Sequence, residues 1–426
     1  MTAFRIFAFL LVLGFAAAPA HAQSLDRELR VFFDCPDTSC DDDYLVEQIA
    51  WVDFVRDRAD ADVHILVTEQ ETGGGGEEYT LRFIGRAAFA GREHTLTHVL
   101  SADATDDDER RALARSARLG LAPFAAATPA AARLDVSASG APADAPTPAA
   151  DDPWNRWVFE LGMDSWFEGE DRFSTEDLYG FASASRVTDD WRVSLGLNGQ
   201  NNRETFEVDD STTVESRRES YSANSLVTHS LSEHWSAGLW SGVSRSTRQN
   251  YDLSARIAPA IEYSIFPYSE STSRLVTVLY AVGPRYFDYA ARTIFDRTHE
   301  TTLHHFLALS YDATQPWGEI DALVDVTHII APIDGSDGWG EPQYSVSLNG
   351  GIDVRVLRGL SLRLDGGSAL IRNQIHLAAG DLTEEEILTQ QRELATDYRY
   401  WASFGFSYQF GSIYSPVVNR RLDYLN

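Results

Sequence analysis

The feature that leaves this chain the fewest ways to fold is a period. Three turn-like sequences share one pattern, Thr188-Asp189-Asp190-Trp191, Ser232-Glu233-His234-Trp235 and Thr314-Gln315-Pro316-Trp317. Their tryptophans lie 44 and then 82 residues apart, the second interval being two steps of 41. Strand-like stretches that begin near Trp154, Arg274 and Gly359 fill the vacant places in that series. Six starts, each opening an up-and-down pair, predict twelve strands. A propeller has a similar period, but it needs four short strands per repeat where two long ones stand here.

Within the pairs, large apolar residues alternate with small or charged ones, as a strand with two different faces requires. Trp157, Phe159, Leu161 and Met163 oppose Glu160, Gly162 and Asp164, and Trp191, Val193, Leu195 and Leu197 oppose Arg192, Ser194 and Asn198. Further along, Leu253, Ile257, Ile261, Tyr263 and Ile265 oppose Ser254, Arg256 and Glu262. Ile320, Val324 and Val326 oppose Glu319, Asp321 and Asp325, and Tyr344, Val346, Leu348, Ile352 and Val354 oppose Ser345, Asn349, Asp353 and Arg355. The fourth, seventh and eighth strands are not legible in this way. A soluble sandwich alternates too. The connections separate the two cases: turns near Arg186–Trp191, Ser230–Trp235, Asp312–Trp317 and Leu357–Leu360 read as short. Stretches around 168–178, 199–219, 283–301, 331–342 and 372–397 read as mostly long. Short turns on one side and long loops on the other predict a transmembrane barrel, with the recurring tryptophans as an aromatic girdle beside the short turns.

The last strand adds a resemblance. In Ser403-Phe404-Gly405-Phe406-Ser407-Tyr408-Gln409-Phe410, the residues Ser403, Gly405, Tyr408 and Phe410 resemble the carboxy-terminal assembly signal of Gram-negative outer-membrane β-barrel proteins. That resemblance implies recognition by the barrel-assembly machinery, and over residues 154–410 it implies a membrane barrel of porin-like type without naming a function. That signal usually ends the chain, whereas residues 411–426 follow it here. At the other terminus, Arg5, the apolar stretch Ile6–Ala18 and Ala20-His21-Ala22 read as a cleavable export signal over residues 1–22. The expected location is the outer membrane, with the amino-terminal domain and the carboxy terminus in the periplasm.

Residues 23–124 read as a small α/β domain in the order β-α-β-β-β-α: Leu29–Phe33, a helix after Asp41–Asp43, Ala61–Thr68, Tyr79–Gly85, His94–Leu100, and a helix from Asp106 to about Leu119. Through Ala61-Asp62-Val63 and Tyr79-Thr80-Leu81-Arg82-Phe83, about 60 residues of it resemble the amino-terminal periplasmic domain of the TolB type. This implies a docking module for another envelope component. The glycines at 73–76 lack the Gly-Lys-Ser/Thr of a phosphate loop and read as a hairpin turn. Cys35 and Cys40 are the only cysteines; in an oxidising compartment a local disulfide is the default, against a redox pair or a metal site with Asp34, Asp37 and Asp41–Asp43. Residues 125–153, rich in Ala and Pro, read as a linker.

Composition excludes some classes. The chain has 64 acidic residues against 35 cations, every one of them arginine, for a net charge of −29. Sequence-independent nucleic-acid binding, which depends on basic side chains, is set aside. Beyond the first two dozen residues no apolar run is long enough for a membrane helix, and the mean hydropathy is −0.25.

The alternation assigns Glu160, Asp164, Arg192, Arg256, Glu262, Glu319, Asp321, Asp325, Asp353, Arg355, Arg363, Asp365 and Arg399 to the lumen. They support either a salt-bridged, partly occluded interior or a cation-leaning pore. His304, His305, His328 and His376 are the candidate catalytic histidines, in no recognisable motif. Gly380–Thr396 reads as a helix in the last long loop, either a cap or plug at the mouth or a solvated surface helix. No cofactor is expected. Divalent cations are expected to bridge acidic outer-loop residues, Glu168, Glu170, Asp171, Glu176 and Asp177 and later Asp381 and Glu384–Glu386, to lipopolysaccharide. The expected function is an envelope anchor or narrow channel; a barrel-embedded hydrolase and an autotransporter-like exporter are the rivals.

Overall fold

The computed structural model describes residues 27–36, 40–73, 75–101, 104–134, 153–209, 212–271, 273–380, 392–408, 410 and 412. The stretch read as an export signal, most of the stretch read as a linker, residues 381–391 of the expected loop helix and the tail other than Ser412 lie outside the described residues.

The amino-terminal domain runs β1 (Leu29–Asp34), α1 (Asp42–Gln48), β2 (Val52–Phe54), β3 (Val63–Glu71), β4 (Glu77–Gly85), β5 (Glu93–Leu100) and α2 (Asp106–Ala125). The strands form one mixed sheet in the order β2-β1-β3-β4-β5, with β1 parallel to both β2 and β3. Central β3 is apolar on both faces, from Val63 to Val67 apart from His64, as a strand flanked by a parallel neighbour inside a sheet tends to be. The helices start where short polar side chains satisfy their free amides. Asp41 accepts from the Tyr44 amide at 3.0 Å, and Thr105 with Asp108 closes a capping box.

Leu29, Ile65, Leu81, Phe83, Leu113, Leu121 and Phe124 fill the core. A Cβ at Gly120 would meet the Phe83 ring, so glycine lets α2 lie against the sheet. Two expectations fail here. The three-residue β2 is too short to show alternation. Helix α2 continues past Leu119 to Ala125, through residues that resemble a linker, because Leu121 and Phe124 are anchored in the core. Cys35 and Cys40 form the disulfide.

The rest of the chain is a twelve-stranded antiparallel sheet: β6 (Trp157–Glu170), β7 (Phe173–Val187), β8 (Trp191–Asp209), β9 (Thr212–Ser230), β10 (Trp235–Ser246), β11 (Tyr251–Ser264), β12 (Arg274–Tyr289), β13 (His299–Gln315), β14 (Gly318–Pro332), β15 (Gln343–Leu357), β16 (Leu360–Ile371) and β17 (Tyr398–Tyr408). Every strand pairs with its sequence neighbours, and all of these pairings except β16 with β17, which residues 372–397 join, are set across connections of ten residues or fewer. Among the tightest is the two-residue turn Arg358-Gly359, where Gly359 takes φ 72°.

A closed barrel is not what the structure shows. β6 and β17 are the two edges and are not paired with each other. Neighbouring strands are joined by short connections apart from residues 372–397, whereas closure joins strands more than 200 residues apart with no turn to set the register.

The connections also differ from expectation. Residues 168–178 are not a loop, because β6 and β7 continue to a turn at Asp171-Arg172. Residues 199–219 are mostly strand, since β8 and β9 are 19 residues each. Their outer parts are polar on both faces, which hides the strand from hydropathy. Backbone pairing needs no apolar face, and cross-strand ions reinforce it: Arg203 bonds Glu215 at 2.8 Å, and Arg218 bonds Glu204 at 2.5 Å. Of 283–301, only residues 290–298 connect β12 to β13. No described helix is long and apolar enough to cross a membrane.

Candidate functional site

The strand registers sort the large sheet into two faces. One carries Phe159, Leu161, Leu195, Leu239, Ile261, Leu309, Val324, Leu348, Leu364, Phe404 and Phe406, all apolar and exposed. All of the charged residues from Glu160 to Arg399 named above lie on the other. That polar face is concave over the middle strands: Trp240 on β10 and Phe306 on β13, separated by two strands, bring their rings within 6.2 Å.

The polar face is organised by row. Arg363 bonds Asp353 at 2.9 Å, an ion pair within the predicted set. Glu262 accepts from the Tyr268 hydroxyl at 2.6 Å and Asp325 from Ser347. Asp321 and Asp365 face each other across Gly351, which has no side chain to separate them, and Asp312 lies opposite Asp321. Glu319 lies opposite Asp353. Glu160 and Asp164 stand exposed on edge strand β6.

Two cavities open on this face. One of about 970 Å³, near the short turns, is lined by Asp189, Asp190, Arg192, Glu233, Glu262 and Trp240. The other, about 890 Å³, lies toward the opposite end and is lined by Arg285, His304, Asp325 and Arg399 together with the last connection, where His376 bonds Glu393 at 3.0 Å. Arg285 is absent from the sequence-derived set. It falls within 283–301, where Gly283-Pro284 masks the strand, although the aromatics Tyr286 and Phe287 that follow are the signal that was there to read.

Arg355 also does something the alternation could not reveal. It lies on the polar face of β15, yet its guanidinium binds the Asp34 carboxylate of the amino-terminal domain, at 2.5 Å through Nη1 and again through Nη2. Asp34 also accepts from His64 Nε2 at 2.8 Å. Both Asp34 and His64 are buried, and Cys35 follows Asp34 directly. Burial would raise the Asp34 carboxyl, but the hydrogen bonds from His64 and Arg355 outweigh it and hold it below the ordinary carboxylate value. Burial lowers the His64 imidazole, so the pair is a neutral histidine on a carboxylate.

Around this pair the domain sits on the short turns. The Gly359 amide donates to Asp57 at 2.5 Å, Arg358 bonds Asp60 at 2.8 Å, Arg58 bonds the Pro316 carbonyl, and Ser185 donates to the Gly73 carbonyl at 3.4 Å.

No family model matches the chain, and no curated protein matches it. The histidines form no triad: His304 meets Thr302 at 2.6 Å, and His305 meets His328 at 2.8 Å. Among the described residues no group of three or more His, Cys, Asp or Glu is placed to hold a metal ion. On β17, Ser403 and Gly405 lie on the polar face and Tyr408 on the apolar one, and Phe410 is exposed.

Proposed function

We propose that this chain is an outer-membrane β-barrel protein serving as an envelope anchor or narrow channel, with its amino-terminal domain and its chain end on the periplasmic side. The observation that carries the reading is the bare apolar face, which runs across all twelve strands with no second sheet or helix of the described chain laid over it. Water does not tolerate such a surface, and a hydrocarbon phase does.

The edges fit the same reading. Leu161 is 84% exposed on β6 and Phe406 70% on β17, and twelve strands in up-and-down order leave the first and last antiparallel, as closure needs. A bilayer admits sheets only as closed barrels, because unpaired edge amides and carbonyls have no water there. Trp157, Trp191, Trp235 and Tyr263 near the short turns would form one girdle, and Tyr398 and Tyr400 near the far end part of another. Lipopolysaccharide would surround the outer half, and the barrel-assembly machinery would read the β17 end.

The amino-terminal domain, seated on the short turns, would face the periplasm. There β2 and β5, the free edges of its sheet, are available for another envelope component. Reconstitution in lipid vesicles followed by single-channel recording tests the reading. Stable insertion is expected, with small ohmic steps for a channel and none for an anchor; a chain that stays dispersed without detergent and leaves vesicles untouched overturns it.

A further inference from the structure

On the polar face, Arg256 of β11 and Arg285 of β12 stand directly opposite each other in the antiparallel register. Like charges at such a pair repel, with Cβ atoms about 5 Å apart. Neither guanidinium forms an ion pair among the described residues. Arg256 lies over the Trp240 ring, 3.5 Å from its centroid, with Asn224 Oδ1 at 3.5 Å. Arg285 donates from Nε to Ser254 Oγ at 2.9 Å and lies 4.7 Å from the Phe287 ring centroid.

The residues directly across from them and beside them on these strands are neutral, among them Gly242, Ser254, Gly283 and Thr302, and the diagonal Glu300 is buried and accepts from the Tyr289 hydroxyl at 2.6 Å. This occurs in a chain with 64 acids to 35 arginines, whose acids on the same face gather in other rows. Arg285 lines the 890 Å³ cavity, and Trp240, on which Arg256 stacks, lines the 970 Å³ one. Gly242, opposite Arg256, has the Asn224 side chain against it: a Cβ there would meet Asn224 Oδ1 at 2.7 Å.

We propose that Arg256 and Arg285 form a binding site for a small oxyanion, a phosphate- or carboxylate-bearing solute held between the two guanidinium forks. Two adjacent forks on aromatic supports match the paired oxygens of such a group, and the ligand supplies the negative charge that the protein withholds. The site lies on the polar face and does not depend on whether the barrel conducts.

The test is titration calorimetry of the full chain in detergent at constant ionic strength, with pyrophosphate and citrate as separate probes against a chloride background. Saturable binding of at least one probe is expected, and the stronger of the two identifies the class. R256Q and R285Q each should weaken it about tenfold or more, as loss of a hydrogen bond to a charged partner does. R285K, which keeps the charge without the fork, should fall between, and R274Q, at a turn where Arg274 pairs with Glu270, should bind as the unaltered chain does. No saturable binding of either probe at millimolar concentration, or equal binding by R256Q and R285Q, overturns the proposal. Single-channel recording can fail while this binding succeeds, so the two readings are tested separately.

Discussion

Arg355 on β15 holds Asp34 at the end of β1 through both terminal nitrogens, tying together two sheets across 321 positions of sequence. Asp34 is buried and Arg355 partly so. Removing one partner of a buried pair leaves a charge without compensation, typically at a cost of about 3–5 kcal/mol, and the exposure of Arg355 places this pair at the low end. R355Q is expected to release the domain from the turns. Hydrogen exchange at the Gly359 amide, which donates to Asp57, should rise markedly while β3 and β4 keep their protection. Unchanged exchange at Gly359 would show that the remaining turn contacts hold the domain without Arg355.

The same cluster predicts an acid sensitivity. The folded values of His64 and Asp34 both lie below their ordinary ones of 6.5 and 3.8. A group whose folded value is depressed contributes stability above its unfolded value and loses that contribution as the pH falls toward the folded one. For His64 the loss starts below about 6.5, and for Asp34 it follows at lower pH. Arg355 and Arg58 beside His64 add to the effect. Protection of β1 and β3 amides should therefore fall between pH 7 and pH 5 and flatten over that window in H64Q. A flat profile in the unaltered chain would contradict this.

The two faces of β15 give a direct test of membrane immersion. Leu348 points to the apolar face and Asn349 to the polar one, and both are exposed. An arginine on a lipid-facing position near the bilayer centre costs about 2–4 kcal/mol. L348R should lower the yield of folded protein in vesicles sharply, and N349R should not. Equal yields would place the apolar face against something other than lipid.

Closure can be tested chemically. Cysteines placed singly along β6, each combined with F404C on β17, should give one efficient cross-link in the membrane-inserted protein and none in the urea-unfolded chain. The successful partner reads out the closing register. No cross-link at any β6 position would mean that the edges remain apart.

Much of the large sheet was legible because its signal is local. A period near 42 gave the twelve strands, and apolar–polar alternation placed Asp325 and Val326, or Asp353 and Val354, on opposite faces. Short-range rules also found α1 behind Asp41 and the β4–β5 hairpin. They failed where the local signal was weak: in the polar outer halves of β8 and β9, in three-residue β2, and at Gly283-Pro284 before Arg285.

By itself, then, the sequence determined the number of strands in the large sheet and, where the alternation is legible, which face each side chain takes, because a period of two fixes the face within a few residues. Only the tertiary structure decided that Arg355 leaves its row for Asp34, that α2 keeps its last turn through Leu121 and Phe124, and that Arg256 and Arg285 meet without a carboxylate between them. Each of these is a contact between side chains brought together by the fold, and alternation carries no information about which partner a charge will find.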